Sequence, residues 1–352
     1  MTHAHRSPRQ SSIAIVGGET LLGKEVHELL EARKIAANIQ LVASFAAEDS
    51  TTAASLLAIG KEEPIVMSSI ESAEFGSAQI VILAASKDAG QKAYEKIRSS
   101  KPAPVVIDLT GALEDLAESR LRAPMVERVP EPSGITAKSP VQTVAHPAAI
   151  ATALLLTHLL KARAIRRSVI EIFEPASERG KAGIDELQKQ TVALLSFKPL
   201  PKELFDAQVS FNMLSQFGDD APHSLEEIEL KIDRHLASLL ASSAKLGGAP
   251  MPSLRLLQAP VFHGYSISAW VEFEENPGMD SIFQALGSSH IDVRTKDHEP
   301  PTNVGVAGQG GITVGSIAQD RNQPRAWWFW MAADNLQIVA ENAGEVVREY
   351  LE

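Results

Sequence analysis

The residues best suited by type to do chemistry are a glycine turn and a set of histidines, a tyrosine and acids. Gly17-Gly18-Glu19-Thr20-Leu21-Leu22-Gly23 follows the apolar run SIAIVG and precedes a helical pattern. A strand, a glycine turn and a helix in that order offer backbone N–H groups and a positive dipole end to a phosphate. The first and last glycines of a dinucleotide fingerprint are present, but Thr20 stands at the middle one. A side chain there crowds a pyrophosphate, and Glu19 adds negative charge at the mouth of the turn. The turn therefore reads two ways: a working dinucleotide site, or a turn that no longer holds one.

His146, His263, Tyr265 and Glu174 are candidates for an acid/base site. The plainer reading is that they are ordinary hydrogen-bonded or pocket-lining residues. The ten histidines include no metal-binding spacing such as HExxH. The chain has no cysteine, which removes disulfides, thiolate metal sites and a cysteine nucleophile together. Glu171, Glu174 and Glu178 beside Arg179 and Lys181 read as a solvated loop and strand edge with local ion pairs. Trp327, Trp328 and Trp330 beside Phe329 read as core or subunit-interface packing. Gly308-Gln309-Gly310-Gly311 has no following Lys-Ser/Thr and reads as a flexible connection.

The elements that must position these residues are legible from periodicity. Strands are expected at 12–17, 39–44, 79–85 and 104–109, with helices at 21–32 and 89–98. Continuous apolar strands alternating with helices predict a Rossmann-type, doubly wound parallel sheet over 1–147. Beyond it, an apolar helix at 148–162 precedes strands at 166–173, 254–261 and 265–273 and an amphipathic helix at 224–241. The alternation of Ile267, Ala269, Val271 and Phe273 with polar residues marks a one-faced sheet. Residues 148–333 are therefore expected to form an α+β domain with a largely antiparallel sheet. A C-terminal helix at 334–352 is expected to return to the first domain.

Composition narrows the function classes. With 33 Lys+Arg against 44 Asp+Glu among 352 residues, the net charge of −11 lacks the basic footprint of nucleic-acid binding. No apolar run approaches the ~18 residues of a membrane span. The polar start MTHAHRSPRQSS has no apolar core of a secretory signal and reads as a tail, so the expected compartment is the cytoplasm.

Several segments together resemble the aspartate-β-semialdehyde dehydrogenase family. The glycine turn lies where the family has Gly-Ala-Thr-Gly-x-Val-Gly, and Val106 to Gly111 resembles its Val-Ile-Asp-Asn-Ser-Ser. Ala145-His146-Pro147-Ala148-Ala149 resembles Ala-Asn-Pro-Asn-Cys, and Gln258 to Val261 with Gly264-Tyr265 resembles Arg-Val-Pro-Val with Gly-His. Phe211-Asn212, Gly180-Lys181 before Asp185, and Ala333-Asp334-Asn335-Leu336 follow in order. The resemblance implies a homodimer and a small-molecule ligand in the cleft between the domains. It implies NADP or NAD as cofactor, with Gly17, Thr20, Leu21, Leu22, Gly23, Ser44, Ala84, Ala85 and Asn335 as the contacts.

The same comparison implies losses. The family's nucleophilic cysteine, glutamine, arginine and histidine fall on Ala149, Glu174, Gln258 and Tyr265. No arginine that would favour a 2′-phosphate occurs in Ser44-Phe45-Ala46-Ala47. A methyl group cannot form the covalent thiohemiacetal on which that chemistry runs. The pattern is similar to the cysteine-less, Usg-type paralogues, which keep Gln-Ala-Pro-Val-Phe, here Gln258 to Phe262. Three functions stay open: a non-catalytic binding or partner protein that still holds a nucleotide, an oxidoreductase acting on a carbonyl without a covalent intermediate, and a dimer with no ligand. The first is the reading adopted.

Overall fold

The computed structural model describes residues 11–35, 38–44, 67–127, 139–242 and 248–351. The start of the chain and Phe45-Ala46-Ala47, on which two of the expectations above rest, lie outside these residues. The described residues fall into two compact units. One holds those up to Arg122, those before and including Val144, and those from Ala340; the other holds those from Ala123 and from Ala145 to Val339.

The first unit runs β1 (Ser12–Val16), α1 (Leu21–Ala32), β2 (Asn38–Ala43), β3 (Ser68–Ser69), β4 (Ile80–Leu83), α2 (Lys87–Ile97), β5 (Val105–Asp108), β6 (Ser119–Arg122) and β7 (Val141–Val144). These strands form one sheet in the order β3-β2-β1-β4-β5-β7-β6, and every pairing is parallel. Ile13, Ala14, Ile15 and Val16 in β1 and Val81, Ile82 and Leu83 in β4 are wholly buried. A strand covered on both faces has no solvent side, which is why these runs read as uninterrupted apolar stretches. The chain leaves β1 for β2 on one side and returns to β4 on the other, so the order reverses at β1. In open sheets of this kind ligands bind beyond the carboxyl ends of the strands at that reversal.

The second unit runs α3 (Pro147–Leu159), β8 (Ile165–Glu174), a short 3-10 turn (Ala176–Arg179), α4 (Gly180–Leu195), α5 (Leu225–Ser242), β9 (Ser253–Gln258), β10 (Tyr265–Phe273), α6 (Met279–Leu286), β11 (Ile291–Val293), β12 (Ile312–Gln319) and β13 (Ala326–Ala333). Its six strands are ordered β11-β12-β13-β10-β8-β9. The sheet is mixed: β12/β13, β13/β10 and β10/β8 are antiparallel, while β11/β12 and β8/β9 are parallel. Along β10, Tyr265, Ile267, Ala269 and Val271 face the core, and Ser266, Ser268 and Trp270 lie between them on the other face. Neighbouring strands continue this outer face, where Val169, Trp270 and Trp328 lie side by side in register. Trp327 and Phe329 are buried and Trp328 is exposed, so the tryptophan run divides between the two faces.

The last helix, α7 (Asn335–Leu351), begins in the second unit and ends in the first. In the first unit, Arg122 Nη2 donates to both carboxylate oxygens of Glu349 at 2.9 and 2.8 Å, and Arg33 pairs with Glu341 and Glu345.

Candidate functional site

Two places gather the residues singled out by type. The first is the turn after β1. Gly17 has φ +90°, and a Cβ on it would stand 2.9 Å from the Ala84 backbone and from Ala85 Cβ. A Cβ on Gly23 would stand 2.0 Å from the Gly17 carbonyl oxygen, so α1 starts against the turn and only glycine fits. Thr20 caps α1: its Oγ1 accepts from the Gly23 N–H at 2.9 Å and faces the carbonyls of Gly17 and Ala84. The crowding expected of Thr20 is therefore absent on the outer side of the turn, because its hydroxyl is folded inward onto the backbone. The N–H groups of Leu21 and Leu22 meet no acceptor among the described residues. Glu19 reaches the end of β2, where its Oε1 accepts from both the N–H and the Oγ of Ser44. Gly17, Thr20, Leu21, Leu22, Gly23, Ser44, Ala84 and Ala85 are thus gathered at the carboxyl edge of the parallel sheet. Asn335 belongs to the second place.

That second place is a buried polar cluster at one end of the mixed sheet. Glu174 stands opposite Gln258 in the parallel β8/β9 pair, and Ser266 stands opposite Phe173 in β10/β8. The register therefore brings Glu174, Gln258 and Tyr265 level with one another, and all three are wholly buried. Glu174 Oε1 accepts from Arg179 Nη2 at 2.5 Å. Gln258 Nε2 donates to the backbone oxygens of Glu174 and Ala259 at 2.9 and 3.0 Å. This overturns the reading of the 171–181 stretch as a solvated edge, because Glu174 is fully enclosed and Arg179 nearly so. Only Glu171 and the Lys181–Asp185 pair face solvent as expected.

His146 caps α3, and its Nδ1 accepts from the Ala148 N–H at 3.3 Å. That contact places the ring proton on Nε2, 3.9 Å from Glu178 Oε2. The His146 backbone N–H donates to His235 Nδ1 at 2.9 Å, and the His146 and Tyr265 rings lie 6.5 Å apart. Burial, reinforced by the nearby cationic Lys231, pushes the His146 imidazole well below its usual range, so it is neutral. Burial and then the Glu174 charge push the Glu178 carboxyl up to about 7. Burial and the two carboxylates push the Tyr265 phenol well above its usual range. Ala149 lies one position beyond Ala148 in the first turn of α3 and is wholly buried.

His263, Asp334 and Asn335 close the cluster. His263 Nδ1 lies 3.1 Å from Ser177 Oγ and its Nε2 lies 2.9 Å from Asp334 Oδ2. Burial works against the Asp334 charge, but His263 and the N–H groups of Gln337 and Gly308 hold the carboxyl below its ordinary range. Gly308 is thereby tied to Asp334 at 2.7 Å, which anchors the glycine segment read as a flexible connection. Asn335 Oδ1 accepts from Ser177 Oγ at 3.1 Å and from the Gly264 N–H at 3.2 Å. The Glu178 carboxyl engages the Tyr265 and Asn335 side chains, while Glu174 Oε2, Arg179 Nε and Gln258 Oε1 are buried with no partner in hydrogen-bonding geometry among the described residues. Buried polar groups are almost always bonded, so donors and acceptors left open together mark a place built to take a polar molecule. Among the described residues no cluster of His, Asp or Glu could hold a metal ion, and no helix is long and apolar enough to cross a membrane.

The sequence reading missed Glu178, Arg179, Ser177 and His235 as members of the cluster. One signal was available. A Cβ on Gly183 would stand 2.1 Å from the Ala176 carbonyl oxygen, so the glycines at 180 and 183 let α4 fold tightly over the 3-10 turn. That approach carries the 178–179 side chains inward.

Comparison with known proteins assigns both units. Residues 12–130 match the family described as semialdehyde dehydrogenase, NAD binding domain, and residues 156–338 match semialdehyde dehydrogenase, dimerisation domain. A USG-1 protein homolog of Pseudomonas aeruginosa is 27% identical over 332 residues, 93% of each chain. An aspartate-semialdehyde dehydrogenase of Rickettsia bellii is 26% identical over 355 residues, covering 97% of this chain and 99% of that one. The structure of a probable aspartate-semialdehyde dehydrogenase from Pseudomonas aeruginosa superimposes with a TM-score of 0.80 at 24% identity, over 96% of this chain and 97% of that one. The Candida albicans enzyme, solved with NADP, gives a TM-score of 0.65 at 14% identity, over 97% and 98% of the two chains.

Proposed function

Because the chain belongs to the aspartate-semialdehyde dehydrogenase family, we propose that it is a member without the family's thiolate chemistry, acting as a dimeric, dinucleotide-holding partner or regulatory protein. One observation carries this reading: the position read as the nucleophile is Ala149, enclosed in the first turn of α3, and the chain has no cysteine to replace it. Acyl transfer by this route needs a sulfur lone pair, and neither Ala148 nor Ile150 supplies a hydroxyl in its place.

The remaining positions support the same conclusion. Glu174 and Gln258 stand where we read the family's glutamine and arginine. A carboxylate replaces a neutral amide, and a neutral amide replaces a bidentate cation, so an anionic substrate loses its clamp. The nearby cation, Arg179, is already engaged by Glu174. Tyr265 stands at the histidine position as a neutral phenol.

The test is to restore sulfur and imidazole together. The Ala149→Cys, Tyr265→His double variant is expected to stay at background in a phosphate-dependent assay with aspartate semialdehyde. Steady turnover by the wild-type chain, or a trapped acyl adduct on it, would overturn the proposal.

A second reading keeps catalysis without a covalent step, and Glu178 favours it. A buried carboxyl with a pKa near neutrality, beside His146 and Tyr265, is suited to hold or release a proton at a bound carbonyl. Turnover of a carbonyl substrate with either nicotinamide nucleotide, lost in Glu178→Gln, would replace the first reading with this one.

The dimer rests on the match to the dimerisation domain and on the outer sheet face carrying Val169, Trp270 and Trp328. Trp328 and Val169 stand exposed on that face. Placing a charge in such a patch opposes desolvation. Trp328→Glu is expected to sediment as a monomer with an unchanged far-ultraviolet spectrum; a variant that still sediments as a dimer removes this face.

A further inference from the structure

The turn after β1 fits a dinucleotide. Gly17 and Gly23 bring strand, turn and helix into contact, Thr20 is folded inward, and the Leu21 and Leu22 N–H groups, at the start of a 12-residue helix, meet no acceptor among the described residues. In this class of fold the adenosine ribose lies beyond the end of β2, where an acid accepts from the ribose hydroxyls and an arginine accommodates a 2′-phosphate.

Here the acid at that place comes from the turn itself. Glu19 Oε1 is held by the N–H and hydroxyl of Ser44, the residue after β2. Its Oε2 is buried and meets no hydrogen-bond partner among the described residues. One oxygen thus anchors the side chain, and the other is left as an acceptor beside the end of β2. A carboxyl group is an acceptor for a ribose diol and, when charged, repels a phosphate dianion.

We propose that Glu19, positioned by Ser44, reads the adenosine ribose and makes this chain select NAD(H) over NADP(H), in contrast to the NADP-bound Candida albicans neighbour. This rests on the reading of the turn as a working dinucleotide site. The negative charge at the mouth is then the determinant of which dinucleotide enters, and the Ser44 contacts hold it at the ribose rather than the pyrophosphate.

Calorimetric titration of the full-length chain with NADH, NADPH, AMP and 2′-phospho-AMP tests it. NADH is expected to bind at least roughly 10-fold more tightly than NADPH, and AMP more tightly than its 2′-phosphate, as like-charge exclusion requires. In Glu19→Gln the NADH/NADPH preference is expected to fall to near parity. In Ser44→Ala, which keeps the charge and the backbone N–H contact but removes the hydroxyl one, NADH affinity is expected to drop several-fold. A wild-type chain that binds the two dinucleotides equally, or a Glu19→Gln variant that keeps the full preference, overturns the inference and leaves the nucleotide site standing. A wild-type chain that binds neither overturns both. Melting curves with and without nucleotide, shifted by mass action, give a second readout for each variant and establish that it is folded.

Discussion

Arg179→Met is expected to lower the stability of the second unit by about 3–5 kcal/mol, because it strands the Glu174 carboxylate in a wholly buried position. A loss of that size lowers a melting temperature by roughly 10 °C in a unit of this length. The pair itself is worth much less than its breakage, since burying two charges costs nearly what their attraction returns. The Glu174→Gln, Arg179→Met double variant is therefore expected to recover most of the loss. Melting curves of the two variants and wild type check this. A single variant as stable as wild type would mean that Glu174 has another partner.

The second large effect is a pair of opposite pH dependences that the wild-type chain conceals. The Glu178 carboxyl is pushed up to about 7 in the folded chain, so the folded form binds this proton more tightly than the unfolded form does. Its contribution is full below the ordinary carboxyl range and is lost as the pH rises from about 4.5 to about 7. His146 is depressed, so its contribution is full above the ordinary imidazole range near 6.5 and is lost as the pH falls below it. Between about 4.5 and 6.5 the two slopes oppose one another. Glu178→Gln should expose the histidine slope, with stability falling in acid. His146→Asn, which keeps a helix cap, should expose the carboxyl slope. In it, stability should fall by on the order of 3 kcal/mol between about pH 4.5 and pH 7. Urea midpoints measured across that range decide the matter: parallel curves for wild type and Glu178→Gln would remove Glu178 as a titrating group.

Much of the architecture was legible because burial leaves a simple mark on sequence. β1 and β4 are covered on both faces and read as unbroken apolar runs. α3 is buried on nearly every side and reads as apolar all round. β6 and β7 left no such mark. Arg122, Gln142 and Thr143 are buried there by satisfying one another and their neighbours, with Arg122 Nη1 3.2 Å from Gln142 Oε1 and Ser119 Oγ 2.8 Å from Thr143 Oγ1. A polar interior held by hydrogen bonds has no hydrophobic period to detect. The site divides in the same way. Resemblance located Glu174, Gln258 and Tyr265, and strand register explains why those distant positions meet. Glu178 and Arg179 were read as solvated because charge alone carries no information on enclosure. Their burial follows from the tight fold of α4 over the 3-10 turn.

The Glu174–Arg179 pair also bears on how such a chain can change. Changing Glu174 to glutamine alone leaves Arg179 charged and enclosed without its counter-ion. Changing Arg179 alone strands the acid. Each single change at the pair is therefore penalised unless its partner changes with it. Two complementary charges, one ending a strand and the other in the turn that follows it, behave as a single inherited unit that substitution must replace whole.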